Sequence, residues 1–192
     1  RRGRVEEEPV AICRLKRVAA DNRGDIAGRL PRAPRKTNGR RVALIGAGCA
    51  SLTVANDLAP LGYECTIFEA LERPGSLMRT NIPAFRLPAN VLDEEIGYIL
   101  DMGVELRLGT PVQSLRALLD EGYAAVFVGS GAPKGKDLEL PGRAASDRIH
   151  IGIDWLGSIA FGHTTKVGRR VLIIGVGNTA MVSGVPRRCK AS

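Results

Sequence analysis

The sequence predicts an α/β protein: a Rossmann-like dinucleotide-binding domain followed by the start of a second Rossmann-like domain. Three observations carry the fold class. Val42–Ile45 is a continuous apolar run that breaks into Gly46-Ala-Gly48-Cys-Ala-Ser51, the turn of a dinucleotide fingerprint. A second strand-like stretch, Tyr63–Phe68, lies beyond a helix-length stretch and is followed by Glu69. The strand–glycine–helix signal then returns at Arg170-Val-Leu-Ile-Ile174 and Gly175-Val-Gly177-Asn178-Thr179-Ala180.

Charge divides the chain. Residues 1–41 hold 13 Lys/Arg against 5 Asp/Glu, whereas residues 42–192 hold 15 of each, so the whole net charge of +8 sits on an N-terminal arm. Such an arm suits an acidic partner or a solvated linker. It has no aromatic residue to stack on bases, which argues against binding single-stranded nucleic acid, and nucleic acid is not the expected partner. No apolar run is long enough for a membrane helix, and no signal peptide is visible. The first residue is Arg, so the sequence is expected to be a processed chain or a fragment. Cys13, Cys49, Cys65 and Cys189 lie far apart, without the spacing of a zinc or iron–sulfur site. That usage fits a reducing, cytoplasmic compartment.

Within the arm (residues 1–40), Pro9–Ala20 predicts a short helix and Asp21–Arg40, rich in Gly, Pro and Arg, a linker. The first nucleotide domain spans residues 41–165. Val42–Ile45 is expected as a strand buried on both faces, because its apolar run does not alternate. Gly46 turns the chain, and Gly48 lets a pyrophosphate approach the backbone at the N-terminus of the helix Ala50–Leu58. Ser51 stands where the third small residue packs helix on strand, and its hydroxyl is expected to crowd that contact. Tyr63–Phe68 is the second strand, and Glu69 at its end is placed to accept hydrogen bonds from ribose hydroxyls.

Leu71–Pro88 reads as a long functional loop whose Arg79 and Arg86 could hold phosphate or carboxylate. Leu92–Met102 is a helix stopped by Gly103, and Val104–Leu108 alternates as a strand. Ser114 caps a short helix, Leu115–Leu119. Ala124–Val128 is a buried strand running into Gly129-Ser-Gly131-Ala132, at a strand's carboxyl end where ligands bind in open α/β sheets. Ile149–Phe161 predicts the start of a strand and a helix, with Trp155 packed rather than reactive. From residue 166 the second nucleotide domain begins, with Arg170–Ile174 expected as its first, buried strand. Gly184 and Pro186 break the helix that follows.

These motifs resemble the small-subunit family of NADPH-dependent glutamate synthase, related to the amino-terminal flavin part of dihydropyrimidine dehydrogenase. The resemblance rests on Val42–Gly48, Thr66-Ile-Phe-Glu69-Ala, Arg73-Pro-Gly75, Ile82-Pro-Ala-Phe-Arg-Leu-Pro88, Ala125–Val128 and Gly175–Met181. It implies reduced nicotinamide passing a hydride to FAD, with electrons leaving through iron–sulfur clusters to a larger partner subunit. The cluster cysteines would lie upstream, outside this chain.

By motif, the resemblance assigns Gly46, Gly48, Cys49, Ser51 and Glu69 to the FAD pyrophosphate and ribose, and Gly75, Arg86 and Gly131 to the flavin. Gly175, Gly177, Asn178, Thr179 and Ala180 go to the nicotinamide nucleotide, and no residue of the chain is assigned as an acid or base. The sequence departs from the family at several of these positions. Cys49 and Ser51 stand for Pro and Gly, Ser76 and Asn81 for Gly, and Gly129-Ser130-Gly131 for Ala-Thr-Gly. The alternative function is a nucleotide-binding or docking remnant that turns nothing over.

Overall fold

A computed structural model describes residues 10–184. Chain contacts group them as two compact units, divided after Pro31. In the first unit the only α-helix among the described residues is α1 (Ile12–Asp21). Arg17 and Asp21, one turn apart, pair at 2.7 Å on its exposed surface, and Ile12, Leu15 and Val18 are exposed. Pro9, the expected start of this helix, lies outside the described residues.

The second unit is built on a four-stranded parallel sheet of β1 (Arg41–Ile45), β2 (Glu64–Phe68), β3 (Glu105–Arg107) and β4 (Ala125–Val128). Its spatial order is β3-β2-β1-β4. Val42 and Leu44 lie opposite Cys65 and Ile67 of β2, and on the other edge Val42–Ile45 pairs with Ala125–Val128. This is the half-sheet of a doubly wound fold, whose strand order reverses between β1 and β4.

Both faces of β1 are covered, which explains its unbroken apolar sequence. Val42, Leu44, Cys65 and Ile67 pack under the helices α2 (Cys49–Leu58) and α4 (Ala89–Leu100), against Leu52, Ala55, Leu92 and Ile96. Ala43 and Phe68 face the opposite way, onto Leu118 of α5 (Leu115–Asp120) and Tyr123. The Ser114 hydroxyl accepts a hydrogen bond from the Ala117 amide at 3.2 Å, the expected cap of α5. Burying side chains such as Leu44 and Ile67 stabilises the fold by about 1.5–3 kcal/mol each.

The loop after β2 contains a short helix, α3 (Ser76–Thr80), where a loop was expected. Further on come α6 (Gly152–Ala160) and α7 (Asn178–Gly184). Trp155 on α6 is half-buried.

Two expected strands do not form. The segment before α6 is irregular, and residues 170–174 join no strand. Val171, Leu172, Ile174 and Val176 are exposed, Leu172 at 88% and Val176 at 93%. An apolar run with no neighbouring strand has nowhere to place its backbone N–H and C=O groups in a ladder, so its pattern alone does not make it a strand.

Candidate functional site

The site is assembled where β1 and β4 diverge. Gly46 follows β1 with φ +87°, a conformation open to glycine, and its amide donates to the Phe68 carbonyl at 2.7 Å. A Cβ on Gly46 would lie 3.0 Å from the Gly129 carbonyl oxygen at the end of β4. The two strand ends therefore meet through backbone alone, at the position where ligands enter open parallel sheets.

Gly48 is the N-cap of α2 in extended backbone, with no side chain capping the helix. The first helical bond runs from the Leu52 amide to the Gly48 carbonyl at 3.0 Å. The amides of the first turn are thus directed out of the helix start, with its positive dipole end. Cys49, the first residue of α2, is exposed.

Ser51 is completely buried. The expected crowding of the helix–strand contact is relieved, because its hydroxyl donates to the Ile45 carbonyl at 3.2 Å and position 129 has no side chain. A Cβ there would lie 2.2 Å from Ser51 Oγ.

Glu69 is 4% exposed and braces the turn. Its Oε2 accepts the Ala47 amide at 2.6 Å and the Ser76 hydroxyl at 3.2 Å, and its Oε1 accepts the Leu71 amide at 3.0 Å. Gly75, buried and at φ +111°, donates to the Ala47 carbonyl at 2.9 Å, tying the next loop to the same turn. Gly46, Gly48, Ser51, Glu69 and Gly75 thus form one connected cluster.

Arg86 is exposed, its amide bonded to the Pro83 carbonyl at 2.8 Å. Gly131 is exposed at φ +65°. Arg79, expected as an anion holder, is engaged within the protein: its guanidinium pairs with Asp93 of α4 and donates to the Pro74 carbonyl. Gly175, Gly177, Asn178, Thr179 and Ala180 form the turn and start of α7, which packs on the beginning of α6 near Gly152.

The sequence reading missed the hydroxyl of Ser76 as a Glu69 partner. Its signal was present: a serine in the place of a turn glycine, seven residues after the acidic side chain. Among the described residues, no group of three or more His, Cys, Asp or Glu side chains could hold a metal ion. No described helix is long and apolar enough to cross a membrane.

The fold is that of a Rossmann-like domain, and a profile of NAD(P)-binding Rossmann-like domains matches residues 44–121. The NAD-dependent dihydropyrimidine dehydrogenase subunit PreT homolog of Salmonella typhi is 39% identical over 91% of this chain and 42% of its own length. The glutamate synthase [NADPH] small chain of Mycobacterium tuberculosis is 32% identical over 91% of this chain and 39% of its own length. The chain is similar to these proteins over about nine tenths of its own length. It spans about two fifths of the length of these two relatives. Mycobacterium tuberculosis FprA, in complex with NADPH, shares the fold with a TM-score of 0.51 and 20% identity, over 62% of this chain and 28% of that one.

Proposed function

We propose that the chain is part of an FAD-dependent NAD(P)H oxidoreductase, the electron-input subunit of a glutamate synthase-type enzyme that delivers electrons to a larger partner subunit. The observation that carries this reading is the junction of β1 and β4. There the Gly46 turn meets the Gly129 backbone beside the uncapped N-terminus of α2, with Glu69 accepting the Ala47 amide beneath the turn. Those residues fit a dinucleotide: orphan amides for the pyrophosphate, and a carboxylate within reach of ribose hydroxyls.

In this reading Gly46, Gly48 and Cys49 offer backbone to the FAD pyrophosphate, the buried Ser51 seats the helix start that points at it, and Glu69 orients the ribose. Gly75, Arg86 and Gly131 line the flavin side. When bound, FAD supplies the acceptor for a hydride from reduced nicotinamide. The chain's own task is to hold and orient the dinucleotide, with no side chain moving a proton. Gly175, Gly177, Asn178, Thr179 and Ala180 are proposed for NAD(P)H on their sequence pattern. Their turn lacks the paired strand that would fix it to a sheet. Residues 41–165 would be the FAD domain, 166–192 the start of the NAD(P)H domain, and 1–40 an arm continuing an iron–sulfur domain. A cytoplasmic location belongs to the same reading.

The second reading, a nucleotide-binding or docking remnant without turnover, is favoured by the exposure of Val171–Val176. One spectroscopic experiment separates the two. The purified chain is titrated with FAD and then given NADPH without oxygen. A bound flavin whose visible absorption bleaches supports the oxidoreductase. Bound flavin that keeps its colour supports the remnant, and no binding of FAD overturns the FAD assignment.

A further inference from the structure

Ser76 combines three features that no structural need of its own short helix explains. It is the only non-glycine residue with positive φ among the described residues, at +43°. L-residues reach this region at a cost and hold it only where neighbours over-determine it. Those neighbours are the Gly75 amide on the Ala47 carbonyl at 2.9 Å and the Thr80 hydroxyl on the Ser76 carbonyl at 3.3 Å.

The strained backbone aims the side chain at the dinucleotide turn. Ser76 Oγ donates to Glu69 Oε2 at 3.2 Å. A Cβ built on Gly48 would lie 3.4 Å from Ser76 Oγ and 3.5 Å from Ser76 Cβ. Ser76 thus covers the one face of Gly48 that the absence of a side chain leaves bare.

The acceptor count completes the picture. A carboxylate has about four lone-pair positions. On Glu69 three are filled, by the Ala47 amide, the Leu71 amide and the Ser76 hydroxyl. The two amides belong to the backbone of the turn and the loop. The Ser76 hydroxyl is the contact that a χ1 rotation can release. A ribose diol, which brings two donors, needs that position as well as the free one.

We propose that Ser76 is a built-in cap on the first dinucleotide site: its hydroxyl holds the Glu69 acceptor, and its side chain the space over Gly48, that an adenosine ribose and pyrophosphate would take. The ligand must displace Ser76, so this residue sets affinity by competing with it. This rests on the reading that an adenine dinucleotide binds at Gly46–Ser51.

The test is equilibrium titration of the full chain with FAD and with ADP-ribose, which carries the same adenosine diphosphate without the flavin. Wild type is compared with Ser76→Gly and Ser76→Ala. Glycine removes both the hydroxyl and the strain at positive φ, so the variant is expected to fold. The cap predicts tightening of both ligands by about tenfold for Ser76→Gly, the equivalent of one ordinary hydrogen bond, and by less for Ser76→Ala, which keeps its Cβ over Gly48. Binding by Ser76→Gly where wild type binds neither ligand also establishes the cap. Equal or weaker binding by Ser76→Gly, with wild type binding normally, overturns the cap and leaves the dinucleotide site standing. Absence of binding in all three proteins overturns the site and the cap with it.

Discussion

Ser51 and Gly129 compete for one volume at the junction of β1 and β4: a Cβ on Gly129 would lie 2.2 Å from Ser51 Oγ. Both residues are held to the same atom. The Ile45 carbonyl accepts the Ser51 hydroxyl at 3.2 Å and the Gly129 amide at 2.9 Å. The Ser51 side chain at the start of α2 is thus accommodated by the absence of a side chain just beyond β4.

The pair is expected to be thermodynamically coupled. Gly129→Ala forces the new methyl onto Ser51 and is expected to cost about 1–3 kcal/mol, as overpacking of a tight core does. Ser51→Ala alone loses one hydrogen bond, about 1 kcal/mol. The double variant is expected to be more stable than the sum of the two by at least about 1 kcal/mol. Urea unfolding of the four proteins measures this, and strict additivity would show that the two side chains do not meet.

Much of the segment from β1 through α2 to β2 was legible because its signals are local. An apolar run closed by Gly46, a helix and a second run closed by Glu69 place β1, α2 and β2 within one or two residues. What was not legible depends on distant neighbours. Residues 170–174 carry the same local pattern as residues 41–45, yet only the latter have strands on both sides. The fit of Ser51 is decided at position 129, and α3 by the path from Gly75 back to Ala47. Arg79 looked like a free cation until α4 brought Asp93 to it.

Tyr123 is expected to tolerate loss of its hydroxyl. The residue is 3% exposed, and its OH is buried without a hydrogen-bond partner. Its ring meets Phe68 edge-on at 5.9 Å and lies 4.1 Å beneath the Arg41 guanidinium, contacts that phenylalanine keeps. Tyr123→Phe is therefore expected to match or exceed wild-type stability, by up to about 1 kcal/mol. A melting temperature several degrees lower would show that the hydroxyl has a partner in solution.

Cys65 is expected to be the slow thiol. Burial pushes its pKa up, so near neutral pH it carries less of the nucleophilic thiolate than a free cysteine. Cys13 and Cys49 are exposed. Iodoacetamide followed by peptide mapping is expected to find Cys13 and Cys49 modified in native protein, and Cys65 only after denaturation. Rapid native labelling of Cys65 would mean that β2 opens readily.

Glu105 gives the outer strand an acid-sensitive contribution. Its hydrogen bond from Arg107, aided by one from Thr66, holds its carboxyl below the usual carboxylate range. A folded pKa below the unfolded one means stability that is present above the unfolded value of about 4.5 and lost as pH falls through the folded value. The Glu105 side chain is half exposed, so screening limits the effect to a few tenths of a kcal/mol. Glu105→Gln is expected to be slightly less stable at neutral pH, and the gap to close below pH ~4 and in high salt. A gap unchanged by acid would exclude the ion pair as its source.

Glu69 is expected to matter to the empty protein as well as to a bound nucleotide. All three groups facing its carboxylate are donors: the Ala47 and Leu71 amides and the Ser76 hydroxyl. In Glu69→Gln, one carboxylate oxygen becomes an NH2 group. Whichever way the amide turns, that group faces a backbone N–H, on the Ala47 side or the Leu71 side. The Ser76 hydroxyl can rotate to become an acceptor; the backbone amides cannot. One buried amide is then left unpaired against a donor, at an expected cost of about 1–3 kcal/mol without any ligand. Thermal unfolding of Glu69→Gln in nucleotide-free buffer checks this. A variant as stable as wild type that binds FAD more weakly would make Glu69 a ligand contact only, and the brace between the glycine turn and the loop at Gly75 would then rest on the Gly75 amide alone.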